Sequence, residues 1–109
     1  MQIIPVQPIP AQTFQIILDG QYCTISIYWR WGRCFMDLSV GETAIFKGAL
    51  CLHAQAVNQF PSQSFAGTLY FIDMLSQEPP QWEGLGERWV LAYLSEGETW
   101  EDVAEESDA

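Results

Sequence analysis

Basic residues are scarce in this chain. Its 109 residues include four Lys and Arg against 14 Asp and Glu, which gives a formal net charge of −10. Proteins that bind nucleic acid or an anionic membrane surface by electrostatic attraction need clusters of positive charge. The sequence therefore predicts neither nucleic acid nor a membrane as a partner.

Long apolar runs, a basic leader and paired cysteines are also missing. No apolar stretch approaches the ~20 residues that span a bilayer, and the first residues lack the basic region of a secretory signal. The three cysteines, Cys23, Cys34 and Cys51, are odd in number and irregularly spaced, which argues against a disulfide framework and fits a reducing compartment. We expect a protein that is not secreted.

Residue groupings that support catalysis or metal binding are few. Cys51 and His53 stand two apart and would share one face of a strand, but a buried cysteine beside a satisfied histidine explains them more simply. The chain has no Cys-x₂-Cys pair for zinc, no phosphate-binding loop and no spacing that forces two carboxylates together. We predict no catalytic residue, no cofactor and no metal.

What the chain does contain is enough apolar material for one domain. Hydrophobic residues make up 49% of the sequence and aromatic residues 14%, which excludes wholesale disorder. Seven of the 14 acidic residues lie between Glu96 and Asp108, so residues 1–95 carry a charge of only −3. We expect residues 12–95 to fold and the acidic segment 96–109 to be disordered.

The first 11 residues form a third region with its own composition. Pro5, Pro8 and Pro10 remove backbone donors and fix φ, which excludes a helix or a central strand. Residues 1–11 are too apolar for a freely solvated linker. This N-terminal arm is expected to be extended and to lie along the body or along a partner through its large aliphatic residues, Ile3, Ile4, Val6 and Ile9.

Two hairpins can be placed in register from turn chemistry and alternation. Asp19-Gly20 is a two-residue turn signal, and it sets Phe14 opposite Ile25 on an apolar face. A four-residue loop over Arg30–Arg33 would then set Ile27 opposite Met36 and would keep Asp37 on the outer face. A shift of one residue would bury that carboxylate without a partner. Three antiparallel strands follow, at about 12–18, 21–29 and 34–40.

The remaining strand signals complete an all-β fold. Residues 44–52 are strand-like with a bulge or bend at Gly48, and residues 68–74 and 88–94 are also strand-like. Helical periodicity is weak throughout. Six or seven short strands in a single domain indicate a small antiparallel β-sandwich or a partly closed β-barrel.

One hairpin tip and several tryptophans are candidates for binding. Arg30, Trp31 and Arg33 supply half of the basic charge at one turn, which suits an acidic or aromatic partner surface. A solvated loop that happens to carry a tryptophan explains the tip equally well. The alternative binding function is a carbohydrate-binding module, which would need Trp31 and Trp82 exposed side by side.

The ordered set of motifs resembles the baseplate plug family of cyanophage-type contractile tails. The resemblance covers residues 4–95 and rests on short pieces at these spacings: Ile4-Pro5-Val6, Ala11-Gln12-Thr13-Phe14, Leu18-Asp19-Gly20-Gln21-Tyr22, Gly32-Arg33-Cys34-Phe35-Met36-Asp37-Leu38, Gly67-Thr68-Leu69-Tyr70, Leu85-Gly86 and Leu91-Ala92-Tyr93-Leu94.

The resemblance implies a function as well as a fold. It implies a structural protein of the virion, made in the host cytoplasm and located at the centre of the tail baseplate, where it closes the tube beside the hub, spike and tube-proximal proteins. It implies no catalytic residues. Docking would use the arm and the hairpin tip, ordered only on neighbouring subunits, and Trp82 is a further contact. Oligomeric state stays open.

Overall fold

Seven strands in two antiparallel sheets make up the fold in a computed structural model, which describes residues 1–58 and 64–97. One sheet has the strand order β1-β7-β6 and the other β2-β3-β4-β5, and they do not close into a barrel. The prediction of an all-β antiparallel fold is confirmed, and of the two architectures left open the structure has the β-sandwich. The strands are β1 (Gln2–Ile4), β2 (Ala11–Leu18), β3 (Gln21–Arg30), β4 (Arg33–Val40), β5 (Thr43–Leu50), β6 (Thr68–Asp73) and β7 (Trp89–Leu94).

The register of the first hairpin is as predicted. β2 and β3 pair with Phe14 opposite Ile25 and Ile16 opposite Cys23. Both turn residues have positive φ, 50° at Asp19 and 76° at Gly20, as a type I′ turn requires. The turn twist and the alternation of apolar residues therefore select the same pairing.

The second hairpin keeps its predicted register but has a shorter loop. Ile27 pairs with Met36 and Ser26 with Asp37, as expected. The predicted four-residue loop is wrong, because Arg30 and Arg33 pair with each other and belong to β3 and β4. The strands continue to a two-residue turn because lengthening them adds ladder hydrogen bonds without changing the pairing.

The bulge expected at Gly48 is present in β5. The pairing of β4 with β5 shifts between Met36 and Leu38, so two residues of β5 stand opposite Asp37. Gly48 has φ +66°, and its N–H donates to Asp37 Oδ1 over 2.7 Å. The left-handed backbone at this point favours glycine.

Both sheets contribute inward-facing residues to one core. Alternation along β3, β4 and β6 buries every second residue, and nearly all of β7 is buried. A buried β7 is explained by its position in the middle of the three-stranded sheet. Core side chains less than 1% exposed include Leu18, Ile25, Met36, Leu38, Leu69, Phe71 and Leu91.

The N-terminal arm lies along the body, so the expectation that it is ordered only on a neighbouring subunit is wrong. Its first residues form β1, an edge strand that pairs with β7, and Ile4 is 1% exposed in the core. Further along, the amide of Gln12 bonds both backbone groups of Gln7, at 3.0 and 2.7 Å. A Cβ on Gly86 would lie 2.3 Å from the Val6 carbonyl oxygen, so only glycine lets the arm pass.

The acidic segment lies largely outside the described residues, which end at Gly97. Its predicted disorder therefore stays a prediction. Among the residues that the structure describes, no helix is long and apolar enough to cross a membrane.

Candidate interaction surfaces

The tip of the β3–β4 hairpin presents its tryptophan to solvent. Trp31 is 86% exposed and has φ 51°, followed by Gly32 with φ 70°. A bulky residue in the left-handed region is uncommon and costs about 1–2 kcal/mol. Such strain at an exposed aromatic residue is typical of a functional position.

Rings on the outer face of the sheet hold the tip in place. Trp31 packs edge-on against Phe35, with ring centroids 6.1 Å apart and an interplanar angle of 88°. Phe35 in turn stacks on Tyr28, its cross-strand neighbour, at 6.0 Å. The Tyr28 hydroxyl donates to Asp37 Oδ1 over 2.9 Å, the same oxygen that accepts from the bulge. The tryptophan is therefore preorganised by a ladder of aromatic rings.

Two guanidinium groups flank this tryptophan. The Arg30 guanidinium lies 5.1 Å from the centroid of the Tyr28 ring, a cation–π distance. Both Arg30 and Arg33 are exposed. Within residues 1–58 and 64–97 no carboxylate forms an ion pair with either one. The tip thus offers an aromatic plane and two exposed positive charges, a combination enriched at protein interfaces.

The arm offers a second, aliphatic surface. Ile3 is 51% exposed and Ile9 is 38% exposed, whereas Val6 is half-buried against the core. A groove of about 350 Å³ runs between the arm and β2 and is lined by Val6, Ile9 and Phe14 among others. Ile4 points into the core and is not accessible, so an arm-based contact rests on the other three residues.

Trp82 sits in a different setting from Trp31. It begins a short 3-10 turn (Trp82–Gly84) and is half-buried against the core. A sugar platform would need two freely exposed rings side by side, and Trp31 alone of the two is fully exposed.

An ion-pair network that the sequence did not reveal organises the loop around Trp82. Asp73 is 5% exposed, and its two oxygens accept hydrogen bonds from Arg88 at 2.8 and 2.9 Å. The backbone N–H groups of Leu75 and Glu78 also donate to it at 3.0 Å. The Arg88 guanidinium holds the pKa of Asp73 well below its usual range, and Asp73 raises the pKa of Arg88. Both Asp73 oxygens accept hydrogen bonds from the guanidinium and from the loop backbone, so the network stabilises this loop.

The Cys51–His53 pair lacks the arrangement of a nucleophile and its base. Cys51 is 1% exposed, and a hydrogen bond with Cys34, together with burial, raises its pKa well above the usual range. His53 Nδ1 accepts a 3.0 Å hydrogen bond from the Asp73 N–H. A buried thiol with a raised pKa is a poor nucleophile. Among the described residues, no group of three or more His, Cys, Asp or Glu could hold a metal ion.

The sequence of the chain matches a known protein family. The family model described as "Cyanophage baseplate Pam3 plug gp18" matches residues 1–96. The chain belongs to this family. The match includes the arm as well as both sheets, and the resemblance drawn from the short motifs is confirmed. A search of curated proteins found no match.

Membership in the baseplate plug family gives the coarse function directly. The protein is a structural component of a phage tail baseplate, and its place is in the virion tail. Its partners are other baseplate proteins.

Proposed function

We propose that this protein closes the central tube of a contractile tail baseplate by docking its β3–β4 tip into an acidic or aromatic pocket of a neighbouring hub or tube-proximal protein. The observation that carries this proposal is the strained, 86% exposed Trp31 between two exposed arginines. Exposing so large a ring and holding it at positive φ both cost free energy, which a partner's pocket would offset.

The arm supplies a second contact in this proposal. Ile3, Val6 and Ile9 present aliphatic side chains next to a groove, and β1 is already ordered on β7. Because the arm is preorganised, its docking does not pay the entropy of ordering a flexible segment. The protein acts by burial of surface, without catalysis and without a cofactor.

The test is binding to the hub protein of the same tail, measured by calorimetry or surface plasmon resonance. Trp31→Asn removes the ring while leaving a residue that suits a type I′ turn. We expect affinity to fall at least about 30-fold, the effect of losing a hot-spot tryptophan worth about 2 kcal/mol. Ile3→Ser with Ile9→Ser should weaken binding further while Ile4 keeps the fold intact.

Two controls separate a docking site from a general surface effect. Lys47→Ala removes an exposed cation away from the tip, and Leu75→Ala removes a 78% exposed aliphatic side chain. Both are expected to bind like the wild type. If the Trp31 variant and the arm double variant incorporate into baseplates normally, the docking proposal is wrong.

A further inference from the structure

The four edges of the two sheets are not equally protected against pairing with another strand. β1 is three residues long and is followed by Pro5. β5 carries Lys47 and the Gly48 bulge. Residues 53–57 cover β6, with backbone hydrogen bonds to Phe71 and Leu69. Short length, charge, bulges and covering segments are the ordinary ways in which proteins block an edge.

β2 differs from the other three edges in each of these respects. Its eight residues, Ala11–Leu18, contain no charge, no proline and no glycine, and its pairing with β3 is regular throughout. In a chain of net charge −10, an uncharged edge of this length is notable. In the described part of the chain no backbone group is hydrogen-bonded to its outer side.

The hydrogen-bond parity of β2 shows which groups face outward. The Trp29 N–H donates to the Pro10 carbonyl in the register of this hairpin, so even-numbered residues of β2 bond to β3. The backbone groups of Thr13, Gln15 and Ile17 therefore point to the open edge. Their side chains lie on the solvent face, whereas Phe14 and Ile16 are half-buried toward the core.

Apolar surface borders the same edge. Ile17 is 53% exposed and its cross-strand neighbour Tyr22 is 71% exposed. A groove of about 490 Å³ lies beside them, and the groove between the arm and β2 lies at the other end of the strand. A strand added here would find apolar surface on both faces as well as free backbone groups.

We infer that the open edge of β2 pairs antiparallel with β2 of a second copy, about a two-fold axis at Gln15. The sequence around Gln15 is self-complementary in this register. Phe14 of one copy faces Ile16 of the other on the inner side, and Thr13 faces Ile17 on the outer side. Cross-strand pairs of aromatic and β-branched residues are favourable, and no like charges meet.

The paired edges would join two four-stranded sheets into one of eight strands, with about six new backbone hydrogen bonds. An interface formed by one strand and its flanking residues buries a small surface area compared with stable protein interfaces. The dimer is therefore weak in dilute solution, and it forms where copies are held close together. The dimer does not use the β3–β4 tip, so the effect of Trp31→Asn on hub binding tests a separate contact; the groove between the arm and β2 borders both the dimer edge and the proposed arm contact.

The test is sedimentation velocity at physiological salt, from about 10 μM to about 1 mM protein. The wild type should dimerise reversibly in this range. Gln15→Lys and Gln15→Glu should each weaken dimerisation at least about tenfold, because two like charges would meet on the two-fold axis. An equimolar mixture of the two variants should dimerise again, since Lys then faces Glu.

Ala44→Lys is the matched control, because it places the same charge on β5, the opposite edge of the same sheet. It should dimerise like the wild type. A wild type that stays monomeric at about 1 mM would overturn the inference. So would a mixture of Gln15→Lys and Gln15→Glu that fails to recover, because the register would then be wrong.

Discussion

At the scale of single residues, the buried carboxylate of Asp73 stabilises the fold through its ion pair and hydrogen bonds. It holds together the end of β6, the loop after it and Arg88, which immediately precedes β7. Its pKa is lowered by Arg88, so the native state binds fewer protons than the unfolded chain at acid pH. The stability that it contributes is present above the unfolded pKa of about 3.9 and is lost as pH falls below that value.

Asp73→Asn is therefore expected to lower the melting temperature clearly at pH 7. The difference from wild type should shrink as pH falls from about 5 to about 2, because the unfolded wild-type chain takes up a proton at Asp73 over this range and the native state, with its lowered pKa, does not. Thermal unfolding monitored by circular dichroism across this range measures it. Glu83→Gln, an exposed carboxylate in the same loop, is the control and should match wild type. A difference that does not change with pH would contradict the electrostatic explanation.

Tyr93 is a second residue that sequence patterns could not assign. The sequence around Tyr93 predicts only that this residue lies in a strand. In the structure its hydroxyl lies 2.8 Å from Asp19 Oδ2 and 2.7 Å from the Ala66 carbonyl. Burial and then Asp19 raise its pKa. Because these partners are distant in sequence, no local pattern could reveal that the first turn is attached to the opposite sheet.

At the scale of elements, the two central hairpins were predictable to the residue in their register. Turn chemistry and alternation act within a short stretch of chain, and they agree with each other. The role of the arm was not predictable in the same way. Its prolines correctly exclude a central strand, but nothing local shows that Gln2–Ile4 pairs with β7 or that Ile4 enters the core. Those contacts join the two ends of the domain.

For the candidate binding site, too, local features could be predicted from the sequence and three-dimensional features could not. The tip residues Arg30, Trp31 and Arg33 stand out in sequence because they are basic and aromatic in an acidic chain. Their exposure and the positive φ of Trp31 required the structure. The open edge of β2 could not be predicted from the sequence, because a strand's free side depends on the order of strands in the sheet, which alternation does not encode.

Gly86→Ala tests whether the arm depends on close passage over the second sheet. The new methyl group would collide with the Val6 carbonyl at a position where φ is +84°. We expect a loss of about 2–4 kcal/mol in the free energy of unfolding, from strain and clash together, with faster hydrogen exchange in β1. Chemical denaturation and exchange mass spectrometry measure these effects.

Gly41→Ala is the matched control for that variant. Gly41 also has positive φ, 57°, but no atom lies within 4 Å of the point that an alanine methyl group would occupy at this turn. Gly41→Ala should lower the free energy of unfolding by only about 1 kcal/mol, the backbone contribution. Hydrogen exchange in β1 should not change. Equal losses in the two glycine variants would mean that arm packing contributes nothing.

At the scale of the whole molecule, the charges are separated along the four-stranded sheet. The turns that carry Asp19 and Glu42 lie at one end, and Arg30 and Arg33 lie at the other. β3 has ten residues, so about 30 Å separates the two ends. Arg88 is neutralised internally by Asp73 and Glu78, which leaves the tip as the main positive region of an acidic protein.

This separation predicts how hub binding responds to salt. Raising ionic strength from about 0.05 to about 0.5 M should slow association several-fold and change dissociation little, because long-range steering is screened while packed contacts are not. Arg30→Ala with Arg33→Ala should flatten the dependence, and Lys47→Ala should not. Stopped-flow kinetics would show it. Salt effects confined to the dissociation rate would contradict steering by the tip.

The length of β3 thus affects how the molecule is oriented as it approaches a partner. A subunit with carboxylates at one end of this sheet and two exposed arginines at the other behaves as an electric dipole in solution. If the docking pocket is acidic, as proposed above, its field would turn the molecule before contact, so that the tryptophan arrives first. Orientation during assembly would then be set by the dipole of the molecule, before any side chain makes contact.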